Sequence, residues 1–337
     1  MQGGPINAAI VLRFISLSFF DVALAAPAFQ LIALGVHGGW SDGNLSTYLA
    51  APLGSDQYVS LDAGTLINGV EKAIAQGSFA RLAVKTKGNL RNAIVENHIP
   101  VYLISHAHFD HIMGFVIAAP NLKEKQLLLV RAETMRVLLR NVFNWQVWIN
   151  SGNIGEKPRL GFQRFEELPL RRWISLPRTK LEVKAFPLNH GKGYPSTAFL
   201  LKHKNDYLLY FGDTGADSIE HDNKIQQIWR EIAPLIRRHQ LHAILLECSY
   251  TNAQPNNQLF GHLKPELFLM ELHKLAAQVS PHTSNALKGL VVFVTHIKPS
   301  LTMPDNQVAK IIFQELKKGN SLGVRFILSR QGERYVF

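Results

Sequence analysis

His106-Ala107-His108-Phe109-Asp110-His111 places three imidazoles and a carboxylate within one short run. Imidazole nitrogen and carboxylate oxygen are the ligand types that suit zinc and its neighbours in the first transition row. In an extended turn, residues i and i+2 project to the same side, so His106 and His108 can reach one ion. Asp110 and His111 fall where the chain is expected to enter a helix, and there they can face a second ion. Gly114 would let backbone approach this site closely. The chain holds 14 histidines, yet chance does not readily set three of them and an aspartate directly behind a buried strand. A closed structural metal site would favour cysteine, and this run has none.

Ligands of this kind need a stiff frame. Apolar runs bounded by turn residues predict strands at 29–34, 46–50, 58–62, 101–104, 126–130, 181–186, 197–201, 207–211, 243–246 and 290–294. Helical spacing is expected at 68–85, 134–143, 223–239, 264–278 and 305–318. Lys204-Asn205-Asp206 reads as a hairpin turn, and 324–328 with 334–337 as a last hairpin around Gln331-Gly332. Strand after strand ends at a metal-capable side chain: His106, Asp213, Glu247, His296 and, nearly so, His190. Strand ends on one side of a sheet converge, and chemistry sits there on a rigid scaffold.

The 337 residues carry a formal net charge of +11, with 47% hydrophobic and 18% charged residues. That composition supports a packed core. The basic residues come as scattered pairs, Arg171-Arg172, Arg237-Arg238 and Lys317-Lys318. A small anionic substrate fits this field, and no nucleic-acid polymer is expected. The lone cysteine, Cys248, excludes an internal disulfide. Arg13, the apolar stretch behind it and Ala23-Leu24-Ala25 read as a signal peptide over 1–26. The expected mature chain, 27–337, is then one domain placed in the periplasm or secreted, with no membrane span.

The run 106–111 resembles the HxHxDH signature of metallo-β-lactamase-fold hydrolases. That resemblance implies an α/β fold, an αββα sandwich of two central sheets flanked by helices. It also implies two divalent metal ions, expected to be zinc. Carried over residue by residue, His106, His108 and His190 would hold one ion. Asp110, His111 and His296 would hold the other, and Asp213 would bridge them. Within the superfamily the chain looks like the class II cyclic-nucleotide phosphodiesterases. The stretches that carry this likeness are 105–115, Tyr210-Phe211-Gly212-Asp213-Thr214-Gly215, Leu246-Glu247-Cys248-Ser249-Tyr250, Phe260-Gly261-His262-Leu263-Lys264-Pro265 and Thr295-His296-Ile297-Lys298-Pro299. The implied reaction opens cAMP, and with it cGMP, to the 5′-monophosphate through a hydroxide held between the metals. Asp110, Glu247 and His262 are the expected catalytic residues. His262 would contact substrate and protonate the departing oxygen, oriented by Glu247.

Other readings stay open at this stage. The chain could be a lactamase, thioester hydrolase or RNA-processing nuclease on the same fold, or a non-catalytic metal-stabilised binding protein. A homodimer is compatible with the sequence. Asp62 and Asp42 could also support the ligands from behind, though both read first as structural. Trp145 and Trp148 could line a base pocket, though core packing is the commoner use of such rings.

Overall fold

The computed structural model describes residues 26–122, 125–283, 285–304 and 306–337. The expected leader, 1–26, lies outside the described residues but for Ala26.

The first half of the chain runs β1 (Phe29–Gly35), β2 (Thr47–Pro52), β3 (Val59–Leu61), α1 (Ile67–Ala75), α2 (Ala80–Lys85), α3 (Leu90–Ala93), β4 (Val101–Leu103), α4 (Phe109–Ala118), β5 (Leu127–Val130), α5 (Ala132–Asn141) and β6 (Arg164–Glu167). The second half runs β7 (Trp173–Leu176), β8 (Leu181–Asn189), β9 (Pro195–His203), β10 (Asp206–Phe211), α6 (Asp217–Glu220), α7 (Lys224–Arg237), β11 (Leu241–Glu247), α8 (Pro265–Val279), β12 (Val291–Thr295), α9 (Gln307–Lys318), β13 (Arg325–Leu328) and β14 (Arg334–Val336).

The strands form two seven-stranded sheets, ordered β14-β1-β2-β3-β4-β5-β6 and β13-β12-β11-β10-β9-β8-β7. Each is antiparallel toward one edge and parallel toward the other: β3, β4, β5 and β6 run parallel, as do β10, β11, β12 and β13. Facing side chains such as Leu31, Tyr48, Leu103, Phe199, Tyr210 and Phe293 fill the space between the sheets. Helices cover both outer faces. On α7 the buried residues Ile225, Ile228, Trp229, Ile232 and Ala233 follow the i, i+3, i+4, i+7, i+8 pattern of a helix with one apolar stripe. The outcome is the expected αββα sandwich. The parallel strands β3, β4, β10, β11 and β12 end near Asp62, His106, Asp213, Glu247 and His296, so their carboxyl ends gather these groups.

The hairpin at Lys204-Asn205 forms as expected, between β9 and β10. The last hairpin does not. β13 pairs in parallel with β12, and β14 pairs antiparallel with β1 in the other sheet. Gln331 explains the split: its Nε2 donates to the Leu34 carbonyl at 2.9 Å, which docks the connection on β1 and carries the chain across to the first sheet. The strands β6 and β7 have no clear alternating signal, being short edge strands with mostly half-exposed or exposed residues.

Candidate metal centre

All seven expected ligands converge. His106, His108 and His190 form one group whose ligand atoms lie within 4.8 Å of one another, and Asp110, His111 and His296 form a second. Between them lies Asp213. Its Oδ2 is 3.1 Å from His296 Nε2, 3.2 Å from His111 Nε2 and 3.7 Å from the Nε2 atoms of both His106 and His190. One carboxylate oxygen therefore faces both sets.

The rings are held from behind. His106 Nδ1 meets Ser105 Oγ at 3.0 Å, His190 Nδ1 the Gly261 carbonyl at 2.8 Å, and His296 Nδ1 Ser249 Oγ at 2.9 Å. His111 Nδ1 lies 2.7 Å from Asp62 Oδ2. Partners of this kind fix the ring and leave the other nitrogen for a ligand bond. His108 differs: its ring stacks on Tyr194 at 4.6 Å, and its Nδ1 lies 3.1 Å from His106 Nε2. Asp110 Oδ2 accepts from the Gly39 amide at 2.7 Å.

Asp62 takes the less favoured of its two readings: it is buried and supports the centre from behind. Its Oδ1 accepts from the Ser105 amide, and its Oδ2 from Ser105 Oγ and Tyr210 OH, besides facing His111. Its φ of 57°, like the 55° of His296, lies in the left-handed region, which turns each side chain back over its strand end. Asp42 is exposed. Gly114 serves otherwise than expected: a Cβ there would stand 2.5 Å from the Leu66 amide, so the close approach is to the segment after Asp62. Gly38 meets a ligand ring directly. A Cβ there would stand 2.1 Å from Cε1 of His296, so no side chain fits.

The electrostatics suit cations. Burial lowers His106 well below its usual value and lowers His190 to about 4, so both rings are neutral and ready to ligate near pH 7. His111 is pushed the other way. Burial opposes a charge there, but Asp213, Asp62 and Asp110 outweigh it and hold the ring well above its usual value. Asp213 sits well below the carboxylate range: burial works against this, and His111 and His296 overcome it. His111 Nε2 is buried and makes no aligned hydrogen bond, although Asp213 Oδ2 is near. Carboxylates that draw a positive charge onto this buried ring would draw a metal ion to the same place.

His262 and Glu247 lie beside this cluster, but in a different arrangement. Glu247 is fully buried; its Oε1 accepts from the Thr214 amide at 3.0 Å and its Oε2 from Ser249 Oγ at 2.7 Å. His262 Nδ1 lies 2.8 Å from Glu247 Oε1 and 3.9 Å from Asp213 Oδ2. Its Nε2 lies 2.8 Å from the ammonium of Lys298. Both nitrogens are thus engaged, one of them with a cation. His262 also lies within reach of the groups His190/Asp213 and Glu247/His296, but its engaged nitrogens set it apart from the four anchored rings, each of which keeps a nitrogen turned toward Asp213.

Sequence reasoning missed Lys298, Tyr194, Tyr210, Ser105, Ser249 and the Gly38-Gly39 segment. Lys298, Ser105, Tyr210 and Ser249 left a signal only as members of the stretches that carry the family likeness, with no role attached; Tyr194 and Gly38-Gly39 lie outside those stretches. Trp145 and Trp148 are 39% and 36% exposed, so neither packs in the core. His242, away from the centre, pairs with Asp206 at 2.7 Å.

Unliganded yeast PDE1 aligns with a TM-score of 0.81 at 22% identity, over 93% of this chain and 100% of that one. The metallo-beta-lactamase fold protein YhfI from Bacillus subtilis aligns with a TM-score of 0.56 at 12% identity, over 93% and 100%. The protein is an αββα sandwich of the metallo-β-lactamase fold. Residues 29–332 match the family described as cAMP phosphodiesterases class-II. A Yersinia pestis protein named "Probable 3′,5′-cyclic-nucleotide phosphodiesterase" is 38% identical over 339 residues, which cover 100% of this chain and 96% of that protein. The chain belongs to the class-II cyclic-nucleotide phosphodiesterases, enzymes that hydrolyse 3′,5′-cyclic nucleotides.

Proposed function

We propose that the cluster holds two zinc ions and converts 3′,5′-cyclic nucleotides to 5′-monophosphates. The observation that carries this reading is Asp213 Oδ2, set between two groups of ligands within 3.7 Å of four histidines. His106, His108 and His190 hold one ion, and Asp110, His111 and His296 the other. When bound, the ions neutralise the phosphodiester and bring a water toward ionisation near neutral pH.

The side chains do the rest. Hydrolysis puts the water oxygen on phosphorus and breaks the P–O3′ bond, so the 3′ oxygen must gain a proton. His262 supplies it, and Glu247 holds the ring by Nδ1. Exposed rings sit next to site residues in the chain: Phe109 follows His108, and Phe260 comes two before His262. Their free faces suit a nucleobase better than Trp145 and Trp148.

Zinc-loaded protein should contain about two ions per chain and hydrolyse cAMP or cGMP but not lactams or thioesters. Full activity with a single ion would remove the second site. Turnover of lactams, thioesters or RNA in place of cyclic nucleotides would overturn the substrate.

Residues 1–26 are proposed to be a leader removed on export to the periplasm or medium. β1 starts at Phe29, so cleavage near Ala26 spares the sandwich. No helix among the described residues is long and apolar enough to cross a membrane. N-terminal sequencing should find a start near Ala26; cytoplasmic protein beginning at Met1 or Gln2 would refute export.

A further inference from the structure

Lys298 has no role in the reading above, yet its ammonium touches the proposed proton donor. Nζ lies 2.8 Å from His262 Nε2. An ammonium can only donate, so Nε2 accepts, and the ring proton sits on Nδ1, facing Glu247. Nε2 is also the only nitrogen of His262 left to face substrate. Lys298 therefore covers the atom that the 3′ oxygen has to reach.

Its surroundings show a cation held for an anion. Among the described residues no carboxylate forms an ion pair with Lys298, whereas Lys184, Lys202 and Lys274 each have one. Its Nζ lies 5.6 Å from the Tyr250 ring centre, and its stem runs past Gly39, where a Cβ would meet it at 3.7 Å. The Gly39 backbone borders the stem, while the head is held only by the Tyr250 face and His262, neither of them an anion, so a phosphoryl oxygen can draw it away.

We propose that Lys298 is a substrate-contacting residue: its ammonium leaves His262 Nε2 and binds a non-bridging phosphoryl oxygen of the cyclic nucleotide, and the uncovered Nε2 takes up the proton released by the attacking water and passes it to the 3′ oxygen as the P–O3′ bond breaks. The inference rests on the phosphodiester reading of the site. The contact forms no covalent bond and exists only with substrate or product bound.

The test uses the full-length zinc enzyme with Lys298→Met and Lys298→Arg. It measures kcat and KM on cAMP and on bis-p-nitrophenyl phosphate, zinc content, and the affinity for 5′-AMP by calorimetry. Lys298→Met should keep its zinc and lose ~10²–10³-fold in kcat/KM on both substrates, because both carry the same phosphoryl oxygens. Its affinity for 5′-AMP should fall by about tenfold. Lys298→Arg, which keeps the charge, should recover part of both. A loss under about threefold on both substrates would overturn the contact. So would a loss confined to cAMP, which would mean that Lys298 acts only through the His262 proton. Zinc loss in both variants would make Lys298 a support of the His296 loop and overturn it as well. A wild-type enzyme inactive on both substrates would instead bring down the phosphodiester reading itself.

Discussion

Asp213→Ala should be the most damaging single change at the ligands. The variant should drop from about two zinc ions per chain to below one, and its activity on cyclic nucleotides should fall by ~10⁴-fold or more. The reason is positional. Asp213 Oδ2 faces His106, His111, His190 and His296 at 3.1–3.7 Å, so its loss uncouples both ligand sets. The remaining cluster would be left with buried imidazoles drawn together by a charge no longer there. His190→Ala makes the contrast, because it weakens one set and leaves Asp110, His111 and His296 in place. Metal analysis and kinetics on the same preparations decide the matter. An Asp213→Ala protein that still bound two ions tightly would show that Asp213 bridges nothing.

His262→Ala should leave both metals bound and lower kcat on cyclic nucleotides by ~10²–10⁴-fold, the usual contribution of a general acid. The variant removes no ring whose free nitrogen turns toward Asp213 at ligand distance; His262 Nδ1 is committed to Glu247 at 2.8 Å. The decisive comparison is an ester whose p-nitrophenolate leaves without a proton. Activity on that ester should fall far less. Equal losses on the two substrates, carried mainly by KM, would mean that His262 grips phosphate and would sink the general-acid assignment. Here His262 and Lys298 should separate cleanly: the histidine variant discriminates between leaving groups, and the lysine variant does not.

Much of the site was readable because ligand chemistry limits the side chains that can serve. Three histidines and an aspartate behind a buried strand, then His190, Asp213 and His296 at later strand ends, needed no knowledge of which strand neighbours which. The groups that hold those ligands were not readable in the same way. Asp62 organises a histidine and a serine more than 40 residues later and a tyrosine 148 residues later. In the sequence it is one aspartate at the end of one strand, and nothing there favours a supporting role at the ligands over a structural one. Gly38 likewise shows no mark of its contact with His296, and Lys298 shows none of its contact with His262.

The order of residues along the chain by itself determined the strands that end in ligands, the amphipathic helices that cover them, and the types of donor available to a metal. These depend on local period and side-chain chemistry, which survive without any partner. Only the tertiary structure decided how those elements are shared between two sheets. The last two strands show it: Gln331 anchors their connection on β1, and β13 and β14 go to different sheets although their spacing suited a hairpin. Pairing is settled by what each strand can bury and bond once the sheets face each other, and that energy is absent from any short window of sequence. The same holds at the centre. A buried carboxylate such as Asp62 gains its role from Ser105, His111 and Tyr210 only when three strand ends meet.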